Sequence, residues 1–260
     1  RVRVTVEGDS MCVDFTGTDA AGPGNLNCPI AVTRSSVFFA VRVATDPDIP
    51  ASAGAYAPVH IVAPAGSLVN APRGAAVAAG NVEASSRIAD AVLGALAGAA
   101  DVPAQGQGTM NNLTLGFAGR VYFETLGGGQ GASSRAPGPS AVHVAMSNTL
   151  NTPVEALEVA MPVRVERYAV RRGSGGSGGR RGGDGVIRRI RVLEDADVSL
   201  IAERRRSAPA GAAGGGNGEV GQTLIDDVAV AGKWRGRLAA GSVIEQCTPG
   251  GGGHGAPSAP

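Results

Sequence analysis

The glycines of this chain are gathered rather than spread. They cluster at 173–185, 211–221 and 250–255, while patterned apolar segments fill the remainder. That distribution constrains the fold more than any other feature. With 41 glycines and 16 prolines in 260 residues, the chain stands just below the level at which low-complexity disorder becomes the default. Scattered evenly, these residues would interrupt every element. Gathered, they leave the other segments free to build a core, and 260 residues suffice for one large domain or two packed subdomains. The expectation is a folded chain with several glycine-built loops. Glycine takes positive φ freely and lets backbone pass close to neighbouring chain or ligand. Successive N–H groups in such loops could form an anion nest, or the loops could be tight structural crossings.

Outside the runs, the apolar period identifies the elements. Val2, Val4 and Val6 alternate with polar residues, Gly8-Asp9 supplies a turn, and Met11, Val13 and Phe15 alternate again. This predicts a hairpin with one buried face. From Pro29 the period becomes helical, with Ile30, Val37, Val41 and Ala44 on one face and Asp46-Pro47 as the stop. A short strand is expected at Val59–Val62. The clearest helix spans about Val82 to Ala99, with Asn81 as cap and Ile88, Val92, Leu96 and Ala99 as its stripe. Strands are expected at about 113–124 and 141–146. Thr152-Pro153-Val154-Glu155 fits a capping box opening a short helix. Further strands are expected from Val163, at Val186–Leu193, at Val198–Glu203 and at Val243–Cys247. Strands dominate and helices occur singly, which predicts an α+β, strand-rich fold of mixed or antiparallel sheets with a few single helices and Gly-rich loops. A subdomain division, if present, falls near 160–185.

Several function classes drop out. The formal net charge of +1 gives no whole-molecule attraction to nucleic acid or membrane. Three cysteines, Cys12, Cys28 and Cys247, form no CxxC, which argues against a disulfide framework and a Cys-rich zinc site. No apolar stretch reaches membrane-spanning length and no signal peptide is present, so the reading is a cytoplasmic protein. Arg1 to Val6 already alternates as a strand with nothing leading into it, which suggests a chain cut from something longer.

The familiar site motifs fail on context. Lys233 is the only lysine; Asp227 stands where a P-loop needs its first glycine, and Trp234 follows. Gly173, Gly175 and Gly178 satisfy GxGxxG, and Ser177 lies in GxSxG, but the glycine-rich continuation cannot open the helix that either motif needs. His60, His143 and His254 have no partner at metal-ligand spacing; His60 and His143 read as hydrogen-bonded structural residues within strand patterns. Arginines at 171, 172, 180, 181, 188, 189, 191 and 204–206 concentrate charge in one third of the chain. No aromatic lies between Tyr168 and Trp234, so stacking platforms for nucleic acid are missing. The arginines on strands read as a solvated face or a contact for an acidic partner.

The motifs that remain form an ordered series. They are Val13-Asp-Phe-Thr-Gly-Thr18, Asn25 to Pro29, Ala63-Pro-Ala-Gly-Ser-Leu-Val-Asn70, Gly80-Asn-Val-Glu83 with Ser86-Arg-Ile-Ala-Asp90, and Gln105-Gly-Gln-Gly-Thr-Met-Asn-Asn112. Glu124-Thr-Leu-Gly-Gly-Gly-Gln-Gly131, Ser147-Asn-Thr-Leu-Asn-Thr-Pro-Val-Glu155, Arg171-Arg-Gly-Ser-Gly-Gly176, Arg181-Gly-Gly-Asp-Gly185, Glu203-Arg-Arg205 and Thr248-Pro-Gly-Gly-Gly-Gly253 follow. In this order they resemble the hydantoinase B/oxoprolinase family, the B-type subunit of ATP-dependent hydantoinases and 5-oxoprolinases, over essentially the whole chain and as its C-terminal half.

The resemblance implies ATP-linked opening of a small cyclic amide, or carboxylation of a ketone. An A-type subunit would handle ATP as the partner. The resemblance implies ATP and, in some members, a divalent metal in the full complex, and no cofactor motif lies in this chain. The family's His/Asp-rich metal segment has no counterpart here, so no metal ligand is carried over. The candidate catalytic residues are Glu124 and Gln130, flanking the central glycine loop, and Asn148. Asn111, Asn112, Arg87 and Glu155 are candidates for substrate binding, since polar side chains beside glycine loops suit a small polar substrate. The sequence departs from the family at Pro137, Ala210, Ser52 and Ala57, where polar or bulky groups are usual. A second reading follows from those losses: an inactive scaffold that keeps the fold.

Overall fold

A computed structural model describes residues 1–46 and 48–257; Pro47, half of the expected helix stop, lies outside the described residues. The chain forms two compact units, Arg1–Val102 and Pro103 onward. Residues 160–185 lie inside the second. Three small sheets and single helices make the α+β, strand-rich fold expected. No described helix is long and apolar enough to cross a membrane.

In the first unit, β1 (Arg3–Glu7) and β2 (Ser10–Asp14) form the hairpin, with Gly8 at φ +58 in its turn. β3 (Val59–Val62) joins β2 in parallel. Helix α1 (Ile30–Ala44) starts after Pro29, whose extended ψ makes it the cap residue, and buries Val37, Ala40 and Val41. Thr33 also lies in that stripe, its hydroxyl donating to Val69 O at 2.6 Å. The second helix begins differently from the expectation. A π-type turn at Gly80–Ala84 runs into α2 (Ser85–Leu96), so Asn81 sits inside the turn and caps nothing. Gly80 opens that turn with its backbone against Asn27, where a Cβ would lie 2.3 Å from Asn27 O, so the position requires glycine. Ile88, Val92 and Leu96 are buried as the periodicity requires, while Ala99 falls beyond the helix.

Gly94 faces solvent on α2, with nothing within 4 Å of the place a Cβ would occupy. Gly94→Ala is therefore expected to stabilise the first unit by about 0.8–1 kcal/mol, through helix propensity alone. Thermal unfolding followed by far-UV circular dichroism measures it, and an unchanged or lower midpoint would contradict the exposure assigned to this face.

The second unit is a sandwich. One sheet has the order β10-β9-β12-β7-β6 and the other β11-β8-β4-β5, every pairing antiparallel. The strands are β4 (Asn112–Phe117), β5 (Arg120–Glu124), β6 (Val163–Arg171), β7 (Gly185–Val192), β8 (Ala196–Ile201), β9 (Gln222–Ile225), β10 (Val228–Val230), β11 (Lys233–Leu238) and β12 (Val243–Cys247). Leu113, Leu115, Ile190, Val192, Val198, Leu200, Ile225 and Ile244 from both sheets share one core with Leu157 of α3 (Val154–Ala160). Burying such aliphatic side chains contributes about 1.5–3 kcal/mol each. Residues 141–146, expected as a strand, make only an isolated bridge between Val142 and Gly128. The Thr152 capping box is also absent: Pro153 holds the cap position with no side-chain bond, and Glu155 is exposed.

The glycine runs are not loops in the ordinary sense. Residues 250–253 form an extended segment whose neighbours repeat every third residue. Gly250 and Gly253 donate to Glu219 O and Gly216 O, Gly251 to Gly183 O, and Gly252 to Gln105 O. A Cβ added at Gly250, Gly251, Gly252 or Gly253 would fall 1.9, 2.0, 2.2 or 2.0 Å from Ser174 O, Gln130 O, Ala210 O or Ser177 O. Three residues per turn with no bond inside the segment is polyproline II geometry. Segments near 105, 130, 176, 183, 210 and 216 surround it, bonded backbone to backbone. Glycine is needed here for close approach, not for positive φ, and N–H groups that an anion nest would need are spent on carbonyls.

Candidate functional site

Between the apolar core and this glycine lattice lies a buried polar layer, and strand parity creates it. On β7 the inward residues are Val186, Arg188, Ile190 and Val192; on β12 they include Ile244 and Gln246, and on β9 Thr223 and Ile225. Arg188, Gln246 and Thr223 thus occupy core-facing positions one step nearer the lattice than the isoleucines. Arg188 is 1% exposed, which corrects its assignment to a solvated face. Its neighbours Arg189 and Arg191 do point outward, pairing with Glu166, and Arg189 also with Asp227 and Glu245.

Glu124 ends β5 facing the same layer and is 5% exposed. Its Oε1 accepts from Asn151 Nδ2 at 3.0 Å and from Arg188 Nη2 at 3.3 Å. Its Oε2 is buried and accepts no hydrogen bond of good geometry among the described residues, although the Tyr122 phenol interacts with the same carboxyl. Asn151 also donates to Thr125 O at 2.9 Å and accepts from the Tyr168 hydroxyl at 2.6 Å. The Arg188 guanidinium sits 4.4 Å from the Tyr168 ring centroid, a favourable cation–π placement. Burial pushes the Glu124 carboxyl above its ordinary range, while Arg188, Tyr122 and Asn151 pull it back. Burial likewise raises the Tyr122 and Tyr168 phenols. The arrangement is a carboxyl with one oxygen fixed, the other less firmly held, and a proton affinity set by competition between desolvation and a buried cation.

The sequence candidates scatter around this centre. Glu124 lies within it. Asn111 shares the layer: it accepts Arg205 Nη1 at 3.0 Å, donates to Gln107 Oε1 at 2.7 Å, and its backbone O accepts from Gln246. Asn112 is tied to Ile201 O at the start of β4. Gln130 contributes backbone to the lattice while its side chain is exposed, and Asn148 and Glu155 are exposed. Arg87 belongs to the first unit, 3.1 Å from Asp90. Sequence reasoning does not single out Asn151, Arg188 or Tyr168 as site residues. Asn151 lies three residues from Asn148 in the same motif, and the Val186–Ile190–Val192 alternation holds the signal for Arg188.

Beside the site, His143 bonds Ser147 and, at 3.0 Å, Thr149, whose hydroxyl lies 2.7 Å from that of Thr125. Burial holds the His143 imidazole below its usual pKa. This is a hydrogen-bonded structural histidine, though outside any strand. Among the described residues no three His, Cys, Asp or Glu side chains converge as a metal would require, so these residues present no donor set for a divalent ion.

Comparison with known proteins places the chain. The model of the hydantoinase B/oxoprolinase family matches residues 1–257. The chain is 40% identical to 5-oxoprolinase 1 of Arabidopsis thaliana over 98% of its own length and 20% of that protein's. It is 32% identical to a putative B-type subunit of a D-/L-hydantoinase from Pseudomonas sp. (strain NS671), over 98% of this chain and 46% of that one. The solved ATP-dependent caprolactamase from Pseudomonas jessenii superposes with a TM-score of 0.82 at 25% identity, covering 98% of this chain and 48% of that chain. The chain therefore spans between a fifth and a half of the length of these relatives. With the family model covering nearly every residue, the chain belongs to the hydantoinase B/oxoprolinase family.

Proposed function

We propose that this chain is the C-terminal part of the B component of an ATP-dependent cyclic-amide hydrolase, acting on a small lactam or hydantoin with an ATP-using A-type partner. The family match over residues 1–257 carries the reading, and relatives whose names specify 5-oxoprolinase, hydantoinase and ATP-dependent caprolactamase support its direction. Opening a cyclic amide requires a proton on the departing nitrogen and removal of one from the attacking water. Glu124 is the group best suited to move a proton: Oε1 is anchored by Asn151 and Arg188, Oε2 makes no hydrogen bond of good geometry among the described residues, and burial raises its affinity.

The test is ATP-dependent hydrolysis of 5-oxoproline and hydantoins by this chain with its ATP-using partner. Glu124→Gln keeps size and hydrogen-bonding capacity and is expected to lower kcat by about 10²–10⁴-fold, while Asn148→Ala, at an exposed site, stays near the parent rate. A scaffold reading is favoured by one observation, the near-complete enclosure of Glu124. Under it, Glu124→Gln would shift the unfolding midpoint and leave the rate unchanged.

A further inference from the structure

Three exposed arginines are carried on two adjacent segments at the rim of the glycine lattice, none of them in an ion pair among the described residues. Arg180 Nε donates to the backbone O of Ser134, the residue before Arg135, at 2.9 Å, and Arg181 follows in sequence with its carbonyl bonded by Gly138 N at 2.9 Å. All three are exposed, and none makes an ion pair among the described residues. The contrast within the same unit is sharp. On the outer face of the five-stranded sheet, Arg189 and Arg191 are matched to Glu166, Asp227 and Glu245. Unpaired like charges on adjacent segments of one surface raise the energy of the free protein, and a surface of opposite charge relieves it.

We infer that Arg135, Arg180 and Arg181 form a docking surface for an acidic patch on a protein partner. The backbone under them is already fixed. Arg180 and His254 exchange two N–H···O bonds of 2.9 Å, Gly182 and Gly183 bond to Gly176 and Gln130, and Arg135 N bonds to Ser133 Oγ at 3.3 Å. Binding there requires little further ordering of the main chain. Two alternatives fit less well. A phosphate site draws on free backbone N–H groups, whereas those of Gly176, Gly179, Gly182 and Gly183 donate to carbonyls. Single-stranded nucleic acid needs stacking surfaces, and no Phe, Trp or Tyr occurs between Tyr168 and Trp234.

The test uses labelled poly-L-glutamate as the probe, with binding followed by fluorescence anisotropy at low and moderate salt. The combined variant Arg135→Gln, Arg180→Gln, Arg181→Gln is expected to weaken binding at least tenfold and to flatten its salt dependence. A control triple at exposed arginines elsewhere, Arg167→Gln, Arg206→Gln, Arg235→Gln, stays within about twofold of the parent, as expected for screened charges away from the contact. Urea unfolding confirms that both triples fold. Equal losses in the two triples, or no loss in the first, would overturn the assignment. Tighter binding of tripolyphosphate or single-stranded RNA than of polyglutamate would replace the acidic protein by a phosphate-bearing ligand.

Discussion

Gly251→Ala is expected to abolish folding of the second unit. The new methyl carbon would lie 2.0 Å from Gln130 O and 2.2 Å from Gln130 C, both backbone atoms held by their own hydrogen bonds. No rotamer relieves a clash made by Cβ, so the segment must withdraw and give up bonds to Gly183 and Gly176. A loss above about 4 kcal/mol is expected, in the range reserved for severe core lesions. Gly119→Ala separates this from a merely conformational effect. Gly119 has φ +73 and open space around it, so alanine there costs about 1–2 kcal/mol of left-handed strain. Trp234 is the only tryptophan and packs against the sandwich core, so its emission during urea unfolding reports this unit alone. Comparable midpoints for the two variants would refute the close-approach account of the lattice.

The second large effect is expected at Arg188. Removing it as Arg188→Met leaves Glu124 buried without its cation, a change that costs about 3–5 kcal/mol when one partner of a buried pair is lost. The effect depends on pH, with a definite sign. The folded-state pKa of Glu124 is raised above the unfolded value because burial outweighs Arg188. The folded state therefore binds more protons, and stability from this group is greatest below the unfolded carboxylate pKa and falls as pH rises through the folded value. Arg188→Met strengthens that trend, so the variant should be much closer to the parent at pH 4 than at pH 7. The double variant Glu124→Gln, Arg188→Met should recover most of the loss at pH 7. A penalty equal at both pH values would mean that Glu124 does not feel the Arg188 charge.

The legible parts of this fold are those where burial is periodic along the chain. Val59–Val62 and Val243–Cys247 can be read with their observed boundaries because half-buried strands alternate. Strands β9 and β10 carry too little pattern to be read, since they are short and Val228 is exposed. Their link, Asp226-Asp227 with φ of 48 and 64, is a two-residue hairpin turn of the primed kind. The π-type turn before α2 is unreadable for a different reason: the backbone that Gly80 packs against at its start, Asn27 O, is remote in sequence. The site is half legible. Glu124 stands out within its motif, whereas Arg188 is camouflaged by Arg189 and Arg191, and only the parity of Val186, Ile190 and Val192 distinguishes it.

The glycine lattice also sets when this protein can fold. Its central segment, residues 250–253, joins chain from residue 105 to residue 219, so closure entropy must be met before any of those bonds forms. On a ribosome the surrounding segments emerge long before the one that ties them together, and they carry almost no side chains with which to collapse. Assembly of the lattice is thus a late event with a high sequence separation of contacts, the condition for slow folding. Until residue 253 has been made, the ends of β7 and β12 beside it border open backbone rather than a closed wall.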